Sequence, residues 1–174
     1  MDFDFTDIFP KDLNLEPILI SGFDSIDFKH HTYLIVKNSG TKTNIYEIKY
    51  EVHCSPFKQA LIVDNLLAVG YEEYFYLFNL LTNSSELKLK MDGYFGHLYY
   101  DSNLFYVADA GGLYCIDKDG SIHWQNNNLG IDGVVIDKFR EDKIIGSGEW
   151  DPPGDWRDFT LDRTTGNKTK INGS

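Results

Sequence analysis

The chain has 174 residues, enough for one domain with a sizeable core, and 15% of them are aromatic, which favours strands over helices. A formal charge of -11 argues against a nucleic-acid binder, which needs cationic surface to neutralise phosphates, and it would steer a basic partner towards the protein. The sequence shows no secretory leader and no run near the roughly 20 apolar residues of a membrane span, so a cytoplasmic protein without membrane contact is expected.

Residues 1–28 form an acidic lead-in, with seven carboxylates against the single base Lys11 and breaks at Pro10 and Pro17. No period is visible there, and a helical turn is expected near Phe5 and Phe9. Phe3, Phe5, Phe9 and Phe23 suggest that the segment docks on the rest of the chain, which spans 29–174 within the same domain. Residues 33–37 and 45–52 read as a hairpin joined by a polar loop with Gly40. Tyr46-Glu47-Ile48-Lys49 makes this a degenerate version of the units that follow.

From about residue 59 three motifs recur in fixed order. An apolar pair precedes Asp at Asp64, Asp101 and Asp137. An apolar run ending in small residues follows, at 66–70, 104–108 and 143–147. An aromatic-x-apolar-Asn/Asp motif then comes at 76–79, 114–117 and 159–162, spaced 38 and then 45 residues apart. A period near forty with short strands is the signature of propeller blades. In the clearest unit, strands are expected at 97–101, 104–109, 113–117 and 122–125, with Asp119-Gly120 as the last hairpin turn. The repeated Asn/Asp closing the third strand can bond its own backbone and start the turn.

The stretch 104–124, Leu-Phe-Tyr-Val-Ala-Asp-Ala-Gly-Gly-Leu-Tyr-Cys-Ile-Asp-Lys-Asp-Gly-Ser-Ile-His-Trp, resembles a blade of the WD40 or quinoprotein-type propellers, with Trp124 in the place of the Trp that closes a blade. The resemblance covers about 59–170, more weakly from 32, and implies an all-β chain of about 3–4 four-stranded antiparallel blades. That number leaves a small closed ring, a pairing of two copies or an open half-propeller, of which the open form is preferred. In size and acidity such a half-propeller resembles immunity proteins of bacterial contact-dependent growth inhibition.

Little points to catalysis or to a metal or cofactor. His30, His31, His53, His97 and His123 lack ligand spacing, Asp117-Lys118-Asp119-Gly120 lacks the further acids of a calcium loop, and Cys54 and Cys115 read as buried thiols in strands. A non-enzyme without cofactor is expected. A binding face is easier to argue. The loops between second and third strands of a blade emerge together: Tyr71-Glu72-Glu73-Tyr74, then Asp109-Ala110-Gly111-Gly112, then the long loop with Glu149, Trp150, Asp151, Asp155 and Trp156. Large aromatics anchor interfaces, and carboxylates receive Arg or Lys. The competing structural reading packs Trp150 and Trp156 across their own loop, stiffened by Pro152-Pro153, and leaves Glu72 and Glu73 as solvated edge charges. The leading expectation is a protein-binding module, most concretely an acidic immunity protein that neutralises a basic toxin such as a nuclease. A glycan or small-ligand module using Trp150 and Trp156 as stacking platforms, and a domain self-associating as a homodimer, are the alternatives.

Overall fold

A computed structural model of the chain describes residues 2–37 and 43–169, with 56% of residues in strands and 4% in helix. Four sheets follow one another along the chain. Blade 1 holds β1 (Asp2–Thr6), β2 (Ile18–Leu19), β3 (His30–Lys37) and β4 (Thr43–Tyr50). Blade 2 is the antiparallel meander β5 (Lys58–Val63), β6 (Leu66–Tyr71), β7 (Tyr74–Asn79) and β8 (Ser84–Lys90). Blade 3 repeats it with β9 (Phe95–Asp101), β10 (Leu104–Asp109), β11 (Leu113–Ile116) and β12 (Ile122–Asn126). Among the described residues blade 4 has three strands, β13 (Val134–Phe139), β14 (Lys143–Glu149) and β15 (Trp156–Asp162), with an isolated Leu161–Lys168 bridge beside β15.

The repeated motifs now have physical explanations. The third-strand Asn/Asp caps its own turn: Asn79 Oδ1 accepts from the N–H of Leu81 and Thr82, and Asp162 Oδ1 from those of Thr164 and Thr165. The small residues ending the second strand make room for the neighbouring chain. A Cβ on Gly70 would stand 1.9 Å from the Phe95 ring of the next blade, and one on Gly148 equally close to the Leu129 carbonyl oxygen. Trp124 closes blade 3 against blade 4, its indole N–H donating to the Arg163 carbonyl at 2.9 Å.

The third copy of the first motif is out of register. Asp64 and Asp101 mark the end of a blade's first strand, whereas Asp137 sits at a register break between Ile136 and Lys138, inside β13. Cys115 is buried as expected, but Cys54 is exposed and lies outside any strand, in the linker before β5.

Blade 1 departs from its siblings. The expected hairpin is present as β3–β4, although residues 38–42 of its loop fall outside the described residues. Tyr50 packs on Tyr71, and His53 bonds Glu72, so β4 ends on the face where β6 ends and β7 begins. Strand β4 therefore runs opposite to β7, β11 and β15, and the aromatic-x-apolar likeness at 46–49 is not a structural correspondence. Strands β1, β3 and β4 have the polarity of second, third and fourth strands. The acidic N-terminal segment supplies both edges of this sheet. Thr6 pairs with Tyr33 where a helical turn was expected, and Ile18-Leu19 runs parallel to Tyr46-Glu47. Phe3 and Phe5, alternating with Asp4, face the core as strand periodicity requires. Phe9 lies on Tyr33, with ring centroids 5.4 Å apart.

The core is divided into three clusters, each between consecutive blades. Among the described residues no such cluster, ion pair or side-chain hydrogen bond joins blade 1 to blade 4, so the blades form an open arc.

Candidate functional site

Strand alternation sorts the connections onto two faces. On the lower face lie the turns 64–65, 102–103 and 140–142 after each first strand, and 80–83, 117–121 and 163–167 after each third. The upper face carries 71–74, 109–112 and 149–156, together with the linkers between blades, 51–57, 91–94 and 127–133. Linkers and loops are knitted together there. Met91 N–H donates to the Glu73 carbonyl at 2.9 Å, Leu129 N–H to that of Gly111 at 3.0 Å, and Ile131 N–H to that of Glu149 at 2.8 Å.

Each face pairs some of its carboxylates with the chain's own cations and, among the described residues, leaves others unpaired. Below, blades are stapled by the chain's own cations. Lys118 of blade 3 holds Asp64 of blade 2 at 2.8 Å, and Arg163 of blade 4 holds Asp101 of blade 3. Arg163 also donates to Tyr106 Oη at 3.0 Å and to the Arg140 carbonyl at 3.1 Å. Above, Asp132, Glu149 and Asp151 have no cationic partner among the described residues. Val52, Phe57, Ile131 and Trp156 are exposed on the same face.

The residues singled out in the upper loops separate into two groups. Several are committed to the fold. Glu72 is only 1% exposed; its carboxylate accepts from the backbone N–H of Cys54 at 2.6 Å and of Ser55 at 2.9 Å, and lies 2.6 Å from His53 Nδ1. Burial pushes its pKa up, but these hydrogen bonds and the nearby His53 outweigh that and hold it below the ordinary value. Glu72 is thus an internal clamp on the linker between blades 1 and 2, not a surface charge. Asp109 is likewise buried, accepting from the N–H of Gly111 and Gly112 and from the Tyr114 hydroxyl. Tyr71 is buried against Tyr50. Tyr74 already faces Lys88 and Lys90, and Glu73 pairs with Lys90 at 3.5 Å. Trp150 lies between the Arg157 guanidinium at 5.7 Å and the Lys168 ammonium at 5.6 Å, while Asp155 pairs with Arg157. The side chains of the two loop tryptophans diverge.

The second group surrounds a cleft of about 330 Å³ between blades 3 and 4, which brings Asp109, Glu149 and Trp156 together. Trp156 turns away from Trp150 and onto Gly133, where a Cβ would stand 3.1 Å from the indole Cη2 and 3.9 Å from Glu149 Oε2. Glu149 Oε1 accepts from Gly154 N–H at 2.7 Å. Phe57, Tyr94, His97 and Asp132 complete the walls, with Val134 and Val135 beneath. The Tyr94 hydroxyl donates to Asp132, 2.7 Å from Oδ1 and 2.6 Å from its carbonyl. Burial lowers the His97 pKa and so disfavours its charged form. Sequence reasoning missed Phe57, Tyr94 and Asp132 because it assigned only the second-to-third-strand loops to this face. Their signal is positional, since each falls just before the first strand of a blade, where alternation places a residue on the upper face.

No family model and no curated protein matches the sequence. Solved structures do resemble it. BamB from Moraxella catarrhalis aligns over 79% of this chain at 14% identity with a TM-score of 0.53, covering 45% of its own length. The N-terminal domain of Nup159 aligns over 97% at 13% identity with a TM-score of 0.41, covering 50% of its own chain. KlHsv2 with loop 6CD replaced by a Gly-Ser linker aligns over 76% at 10% identity with a TM-score of 0.44, covering 42%. The chain thus spans half or less of each. BamB is a β-propeller protein, and its likeness, added to the four sheets and their three interfaces, establishes the fold as an all-β partial propeller.

Proposed function

We propose that this partial propeller is a protein-binding module whose upper face captures a basic protein, most concretely as an immunity protein acting in the cytoplasm against a cationic toxin such as a nuclease. The observation that carries the proposal is the grouping, on the upper face, of unpaired carboxylates with exposed apolar side chains. Asp132, Glu149 and Asp151 have no cationic partner among the described residues, and Phe57, Ile131 and Trp156 are exposed on the same face. Exposed aromatics beside unpaired carboxylates form a surface that a cationic protein fits, with the aromatics as anchors and the acids as steering charges. An acidic inhibitor of this kind associates quickly and blocks an active site built for phosphate. The test is a pull-down from source-cell lysate, washed at low and then high salt, with the wild type beside a D132N/E149Q/D151N variant. A basic protein retained at low salt by the wild type and lost from the variant supports the reading. Retention of only acidic or neutral proteins, or equal retention by both baits, sinks it.

A further inference from the structure

The cleft between blades 3 and 4 has the chemistry of a receptor for one flat cation. Two carboxylates reach it from different elements, Glu149 from the end of β14 and Asp132 from the preceding linker. In each, one oxygen already has a neighbour in the chain: Glu149 Oε1 accepts from Gly154 N–H, and Asp132 Oδ1 shares the Tyr94 hydroxyl with its own backbone carbonyl. Glu149 Oε2 and Asp132 Oδ2 have no donor among the described residues. A carboxylate anchored through one oxygen and open at the other is preorganised to accept hydrogen bonds without losing its orientation. The aromatic surface beside them is Trp156, 45% exposed. Trp150 has two of the chain's own cations against its ring, but Trp156 has none among the described residues. His97 also lines the cleft, where burial disfavours its charged form. At about 330 Å³ the cleft sits at the low end of the roughly 300–1,000 Å³ of small-ligand pockets, the scale of a single side chain.

We infer that this cleft receives the guanidinium of an arginine side chain, stacked on Trp156 and forked between Glu149 and Asp132. Guanidinium suits it better than ammonium, because a planar cation can lie on the indole while its in-plane N–H groups reach two carboxylates, and a tetrahedral ammonium cannot do both. The inference rests on the reading of the upper face as the dock for a basic protein, and names the side chain that such a partner would insert.

The test titrates the isotope-labelled protein by NMR with N-acetyl-arginine amide, its neutral isostere N-acetyl-citrulline amide, and the Nα-acetylated lysine amide. The arginine probe is expected to shift the amides of Gly133 and Glu149 and the Trp156 indole N–H, with a Kd of roughly 1–10 mM, as one stacked, charge-assisted contact supports. Citrulline should leave them in place, and lysine should bind several-fold more weakly. The E149Q and D132N variants each keep the internal acceptor and lose the charge, so each should weaken the arginine probe about tenfold. No shift with arginine up to its solubility limit, an equal shift with citrulline, or a response to neutral sugars alone overturns the inference. The pull-down separates it from the broader reading. A basic protein held by the upper face but indifferent to E149Q and D132N removes the arginine site alone. Arginine binding without capture of any basic protein removes the docking role and leaves a small-cation site.

Discussion

Glu72 stands at φ 52 in the two-residue turn between β6 and β7, a conformation that costs a non-glycine residue about 1 kcal/mol. Its carboxylate holds two backbone N–H groups and the His53 ring of the neighbouring linker. Replacing it with Ala strands those donors, and a loss of about 3 kcal/mol in urea unfolding is expected, larger than for the surface acid Asp151. The same residue predicts a pH dependence. Its pKa is lower folded than unfolded, so its contribution is fully present above the ordinary value of 4.5 and is lost as pH falls through the folded value. Stability of the wild type should therefore fall more steeply than that of E72Q below about pH 4.5, and parallel curves would refute this. Gly70 is the opposite case, a residue needed for what it lacks. Gly70→Ala drives a methyl into Phe95 across the junction of blades 2 and 3, and should cost about 1–3 kcal/mol or more.

At the scale of turns and strands, the two lower-face staples look alike but differ in burial. Asp64 of the Lys118 pair is 69% exposed, whereas the Arg163 side chain is 12% exposed and also serves Tyr106 and the Arg140 carbonyl. Water screens the first pair, so Lys118→Met should leave the urea midpoint close to that of the wild type. Arg163→Met leaves Asp101 with only the Ser102 hydroxyl and Tyr106 Oη without its guanidinium donor, and should cost about 2–4 kcal/mol; an effect as small as that of Lys118→Met would show that burial does not decide their worth. The edge strand β1 is held to β3 by its backbone ladder and by Phe3 and Phe5 in the first core cluster. Phe3 and Phe5 are half-buried on either side of exposed Asp4, although five residues with acidic neighbours are too few to reveal a period unaided.

Over the whole molecule, stability should be graded along and across the arc. Strands β6, β7, β10 and β11 lie inside their sheets and are largely buried, whereas Trp156, Arg157 and Asp158 of β15 are exposed with no strand paired beyond them among the described residues. Hydrogen exchange should be slowest in those four strands and fastest at the start of β15; uniform protection would mean that the edge is covered in solution. Charge acts at this scale too. With Glu72 and Asp109 turned inward, steering falls to Asp132, Glu149 and Asp151, so their neutralisation should slow association with a basic partner and flatten its salt dependence, while dissociation changes less.

Sequence alone determined the blade repeat, the strand order of blades 2 and 3, the self-capping Asn/Asp turns and the role of Trp124. All of these rest on local backbone chemistry and on strand periodicity, which act within a few tens of residues. It also picked out Glu149 and Trp156, because a long loop rich in aromatics and acids is visible as composition. The tertiary structure decided the rest. The polarity of blade 1 and the docking of β1 and β2 on its edges depend on which face a strand ends on, which no single segment encodes. Whether a carboxylate faces water or a pair of N–H groups depends on a linker from another blade, and this separated Glu72 from Asp132. The cleft itself exists only where β14, β15 and the linkers before β5, β9 and β13 converge, bringing together residues from 57 to 156 that share no local pattern.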